Sequence, residues 1–136
     1  MHIFWFRRDL RTFDNTALHY ALEENKGIQP IFIFDKNIVE ELESNDARIN
    51  FIYTHLHKIN KELKKYDSSL KVYYGNPADV FREICRKVTV DSVYTNHDYE
   101  PYAINRDLEV KEVLQDFGVP FITFKDQVIF ERNEVV

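Results

Sequence analysis

The stretch His2-Ile3-Phe4-Trp5-Phe6-Arg7-Arg8-Asp9-Leu10-Arg11-Thr12-Phe13-Asp14-Asn15 decides how the chain is read. From His2 to Phe6 the run is apolar without a break, as in a strand covered on both faces. It stops at Arg7, Arg8, Asp9 and Arg11. Asp14 or Asn15 then offers an N-cap for a helix reaching about Lys26, where Gly27 stands in the stop position. Ala17, Leu18, Ala21 and Leu22 fall at helical spacing within it.

Downstream the alternation continues. Pro30 to Phe34 is a second apolar strand, ending at Asp35-Lys36-Asn37, and a short helical turn is expected over Ile38 to Leu42. The longest helix is expected from about Asp46 to Tyr66. Its apolar stripe is Ile49, Ile52, Tyr53, Leu56, Ile59 and Leu63, and its wet face is Lys58, Lys61, Glu62, Lys64 and Lys65. Leu70 to Tyr74 is a third strand, and Pro77 suits the first turn of a helix over about Ala78 to Lys87. Asp91 to Thr95 is a fourth strand, followed by a helix from about Tyr102 to Phe117 that stops at Gly118. Val119 to Phe124 is a fifth, and Val128-Ile129-Phe130 a short extended piece. The pairs Tyr73-Tyr74 and Phe121 to Phe124 are expected in the core, as is Trp5.

Five strand–helix units predict a five-stranded, doubly wound parallel sheet with helices on both faces, an α/β, Rossmann-like single domain over residues 1–136. With the common strand order 3-2-1-4-5, the topological switch lies between strands one and four, and ligands bind outside their carboxyl ends. The two most polar strand-end segments, Arg7 to Arg11 and Asn96 to Glu100, follow those two strands.

Composition narrows the function classes. The 136 residues carry 44% hydrophobic and 30% charged side chains, which is globular. Lys and Arg number 18 against 23 Asp and Glu, so there is no global basic field for tight nucleic-acid binding by this domain alone. The single Cys85 forms no internal disulfide, and a reducing, cytoplasmic setting fits it. No secretory signal is expected, and no apolar run reaches membrane-spanning length.

The motifs leave two explanations for Arg7, Arg8, Asp9 and Arg11. Arginine forks grip carboxylates, phosphates or ring carbonyls, so the cluster is a ligand or docking site; or it is an internal ion-pair network, with Asp9 paired to Arg11. No Gly-x-Gly-x-x-Gly turn and no P-loop occurs, which disfavours a glycine-rich dinucleotide site. His97, with Asp98 and Glu100, lacks a second ligand pair at metal-binding spacing, so no metal is expected. Ser68 and Ser69 read as a turn, and no catalytic residue is assigned.

Trp5-Phe6-Arg7-Arg8-Asp9-Leu10-Arg11-x-x-Asp14-Asn15-x-Ala17-Leu18 resembles the opening signature of the DNA photolyase/cryptochrome family. Asn96-His97-Asp98-Tyr99-Glu100-Pro101-Tyr102-Ala103-x-x-Arg106-Asp107 is similar to the family's segment after strand four. Asp126-Gln127-Val128-Ile129-Phe130-Glu131 is similar to the run before its interdomain linker. The resemblance spans nearly the whole chain. It implies the amino-terminal α/β, antenna-side domain of a flavoprotein that uses blue or near-ultraviolet light to split pyrimidine dimers in DNA. Reduced FAD donates an electron to the flipped-out lesion, the dimer opens, and the electron returns.

The family's FAD pocket and tryptophan chain belong to a carboxy-terminal helical domain, which is the expected partner. That domain lies beyond Val136, so this piece alone is expected to hold no FAD, to bind damaged DNA weakly or not at all, and to be inactive. The amino-terminal domain carries or borders an antenna chromophore: deazaflavin, flavin or folate. Tyr102 and Ala103 stand where the enterobacterial folate type has an Asn-Glu pair, which weakens the folate option of that type. Switch-point geometry and the family's general site location together nominate Arg8, Asp9, Arg11, Phe34, Asp35, Asn96, Asp98 and Glu100 as chromophore contacts. A cryptochrome-type light sensor without repair activity is the alternative. An unrelated nucleotide-binding module of the electron-transfer-flavoprotein type is a third reading, disfavoured by the opening motif.

Overall fold

The computed structural model describes residues 1–7, 18, 27–36, 47–64, 68–97 and 101–124. The elements are β1 (His2–Phe6), β2 (Ile28–Asp35), α1 (Ala47–Leu63), β3 (Lys71–Gly75), α2 (Pro77–Lys87), β4 (Ser92–Asn96), α3 (Pro101–Asp116) and β5 (Phe121–Phe124). All strand pairs are parallel and the order is β3-β2-β1-β4-β5. The expected sheet and strand order are therefore those observed.

Alternation along the strands sorts their side chains into two cores. Ile3 and Trp5 of β1 face the same side as Ile31, Ile33 and Val93, and are covered by Phe81 and Ile84 of α2 and Val110, Val113 and Leu114 of α3. Phe4 and Phe6 face the other side with Phe32, Phe34 and Tyr94, covered by Leu56, Ile59 and Leu63 of α1 and by Leu18. Both faces of the central strands are dry, which is why β1 and β2 read as unbroken apolar runs. Trp5 packs edge-on against Phe81 at 5.1 Å between ring centroids, as core packing requires.

Local sequence sets the helix ends. The Asn76 side chain accepts a hydrogen bond from the Ala78 backbone N–H at 3.0 Å, and Pro77 takes the first helical turn of α2. Beyond α3, Gly118 adopts φ +70, a conformation other residues rarely accept, and lets the chain turn toward β5.

The edges depart from expectation. Tyr74 is 58% exposed and Val72 49%, and Tyr73 is only partly buried, because β3 is an outer strand with a neighbour on one side. β5 is the opposite edge: Phe121, Ile122 and Phe124 are partly buried, and the strand begins at Phe121 instead of Val119. Tyr53 lies at the margin of its stripe, 52% exposed, with its ring 5.3 Å from Phe34. The expected helix between Asp14 and Lys26 (Leu18 excepted), the turn over Ile38 to Leu42, the side chain of Ile49 and the piece Val128-Ile129-Phe130 lie outside the described residues.

Candidate functional site at the carboxyl ends of the central strands

β1, β2 and β4 end side by side, and each delivers a buried polar residue there: Arg7 just past β1, Asp35 closing β2, and Asn96 closing β4. The first turns of α3 bring Tyr102, Arg106 and Asp107 to the same place. Helical spacing accounts for this: Ala103, Val110, Val113 and Leu114 are the buried positions of α3, and residues 106 and 107 fall on that same inward face.

Arg7 is engaged from two sides. Its Nη1 lies 2.5 Å from Oδ1 and 2.6 Å from Oδ2 of Asp107, and its Nη2 donates to the backbone carbonyl of Asn96. The side chains of the ion pair are 4% and 17% exposed, so both charges are largely out of water and each depends on the other. A parallel arrangement holds Asp35. The Tyr102 hydroxyl donates to its Oδ2 at 2.7 Å, and Arg106 Nη1 lies 3.7 Å from the same oxygen. Arg106 Nε is also 3.9 Å from Asp107 Oδ1. Two guanidinium and two carboxylate groups thus form one network.

Trp5 links this network to the core. The guanidinium carbons of Arg7 and Arg106 lie 5.0 and 5.3 Å from its ring centroid, and Arg106 also stands 5.8 Å from the Tyr102 ring, one helical turn away. These are cation–π distances. The Thr95 hydroxyl donates to the Trp5 carbonyl at 2.8 Å, tying β4 to β1 beside the same cluster.

Of the nominated contacts, Asp35 and Asn96 meet around this network. Phe34 does not: its ring faces the α1 side, edge-on to Phe32 at 5.0 Å. Arg8, Asp9, Arg11, Asp98 and Glu100 lie outside the described residues. Of the two explanations for the arginine cluster, Arg7 follows the ion-pair one. Asp107, one hundred positions away, is a partner. Tyr102, Arg106 and Asp107 were not nominated from sequence. The signal was present in a charged pair on the apolar face of a helix, inside a segment already matched to the family.

His97 is exposed, and its backbone N–H donates to the Phe124 carbonyl at 2.6 Å. Among the described residues no cluster of His, Cys, Asp and Glu suits a metal ion, and no helix is long and apolar enough to cross a membrane. Cys85 is unpaired and partly buried, and burial pushes its thiol up.

The described donors test a strand-end chromophore in one respect. The Asp35 carboxylate, the Asn96 carbonyl and the Arg7 guanidinium already bond within the protein, so they suit the wall of a pocket.

Comparison with known proteins bears on that possibility. The family model for DNA photolyase matches residues 2–136. A deoxyribodipyrimidine photo-lyase of Synechococcus is 26% identical over 98% of the chain, which covers 28% of that protein. Cryptochrome-1 of Spalax judaei is likewise 26% identical over 98% of the chain, which covers 23% of it. The chain thus spans under a third of the length of these relatives. Among solved structures, a photolyase of the archaeon Sulfolobus tokodaii superposes with a TM-score of 0.79 at 35% identity, over 91% of this chain and 29% of that one. It was solved with two FAD molecules, with the implication of a novel light-harvesting cofactor.

Proposed function

The chain belongs to the DNA photolyase family, and from that premise we propose that it is the amino-terminal, antenna-side domain of a light-driven lyase that repairs pyrimidine dimers in DNA. The observation that carries this reading is the 35% identity, along nine-tenths of the chain, to a photolyase solved with two FAD molecules. In the proposed whole protein, a carboxy-terminal helical domain holds the catalytic FAD and receives the damaged DNA. A chromophore beside the present domain supplies light-harvesting, passing excitation energy to that flavin.

This chain's own residues do structural work in the scheme. Arg7, Asp107, Arg106, Asp35 and Tyr102 lock α3 onto the ends of β1, β2 and β4, and so fix the wall against which a planar chromophore rests. Arg8, Asp9, Arg11, Asp98 and Glu100, in the stretches of sequence that follow β1 and β4, are the proposed contacts that grip it. The acidic composition fits a domain that leaves most of the DNA contact to its partner domain.

The equal identity to a cryptochrome supports a second reading, a blue-light sensor without repair activity. One assay separates the two. The natural gene product is purified and given an oligonucleotide containing a pyrimidine dimer, in blue light and in the dark. Light-dependent loss of dimers supports the lyase. Bound flavin without such loss supports the sensor. A product that binds no flavin contradicts both.

A further inference from the structure

Away from the strand ends, a groove of about 550 Å³ opens between the β2–β3 half of the sheet and α2. It exists because α2 and α3 together cover the middle of this face and β5's side, and leave the outer half partly open. Its floor is apolar, Ile3 and Ile31, each 1% exposed, and its helix wall is Val80 and Ile84. The size lies within the range of small-molecule sites.

The charges around it are arranged unequally. The acidic residues of the lining, Asp79 and Glu83, are engaged on the helix surface. Asp79 pairs with Arg82 at 2.7 Å, and Glu83 has Arg86 and Lys87 at 3.7 and 3.9 Å. Lys36 and Lys71 have no ion-pair partner among the described residues. They stand at opposite ends of the groove. Lys71 is in register with Ile31, and Lys36 is the residue after β2, five positions beyond Ile31, which separates the two by about 16 Å at the rise of a strand. Between them is Tyr73, whose ring packs against the core and whose hydroxyl carries no hydrogen bond among the described residues.

We propose that this groove is a second binding site, separate from the strand-end crevice, for a planar aromatic anion. The aromatic body lies on Ile3 and Ile31 beside Tyr73, and its acidic group meets Lys71 or Lys36. An apolar floor with unopposed cations at the rim favours such a ligand over a neutral or cationic one of equal size, more so in a chain whose net charge is −5. The inference is independent of the light-driven reading, since none of these residues belongs to the strand-end network.

Anilinonaphthalene sulfonate is the probe, titrated into the chain and followed by its fluorescence. The expected result is saturable binding of one dye per chain that weakens as salt is added. Lys71→Glu and Lys36→Glu are exposed changes that leave the core untouched. At least one of them should weaken binding by about tenfold. Val80→Trp fills the groove and should abolish saturable binding while the far-ultraviolet dichroism stays unchanged. Binding that never saturates, or that keeps its affinity in both lysine variants, overturns the proposal whatever the tryptophan variant does.

Discussion

Arg7 and Asp107 stand one hundred positions apart in the chain and meet with both carboxylate oxygens within 2.6 Å of one guanidinium nitrogen. The pair joins the residue after β1 to the second turn of α3, across the topological switch of the sheet. Removing either partner leaves the other's largely buried charge without this ion pair. Arg7→Ala and Asp107→Ala should each lower stability by about 3–5 kcal/mol. The double variant should lose clearly less than the sum, because the second removal takes away the charge left without this pair. Urea unfolding of the four proteins closes the cycle. Additive losses would show that the two side chains are energetically independent.

The Tyr102 hydroxyl should be worth less than that pair, since it is one hydrogen bond to a charged acceptor. Tyr102→Phe is expected to cost about 1.5–3 kcal/mol. The same substitution made in an Asp35→Asn background should cost under half as much, because the acceptor charge is gone. Thermal or urea unfolding reads both.

Phe81 is fully buried against the only tryptophan of the chain. Phe81→Ala should cost about 3–5 kcal/mol through the cavity it leaves. It should also shift the emission of Trp5 to longer wavelength as water gains access. An unchanged emission maximum would mean that the neighbours collapse into the space.

Acid should weaken the amino-terminal seam. The Met1 ammonium lies 2.5 Å from Asp91 Oδ2, and this hydrogen bond, followed by the charge of the same ammonium, holds the Asp91 carboxyl below its ordinary value of 3.8. A carboxyl lowered on folding contributes stability above its unfolded value and loses it as pH falls through the folded one. The contribution is therefore complete near neutrality and disappears below about pH 4. Asp91→Asn should flatten the acid limb of a stability–pH curve without changing its shape above about pH 5. Full retention of that limb would remove Asp91 from its causes.

The sheet was legible because β1 and β2 bury both faces, so no polar residue interrupts Ile3 to Phe6 or Pro30 to Phe34. The edges were not legible by the same rule. Tyr73, Tyr74 and Phe121 are strand-forming residues whether a neighbour covers them or not, and only strand order decides which are wet. At the site, the polar ends of strands one, two and four could be read from Arg7, Asp35 and Asn96. The partner of Arg7 could not be, because no local spacing connects position 7 with position 107. What could have pointed to it was the register of α3, where a charged pair sits between buried Ala103 and Val110.

In the proposed whole protein, residues that follow β1 and β4 of this domain hold a light-harvesting chromophore. The direct measurement is the absorbance spectrum of the purified natural gene product, taken for the parent and for Arg11→Ala and Glu100→Ala. Both variants should lose the antenna band and keep the flavin band. Full antenna occupancy in both variants would contradict it.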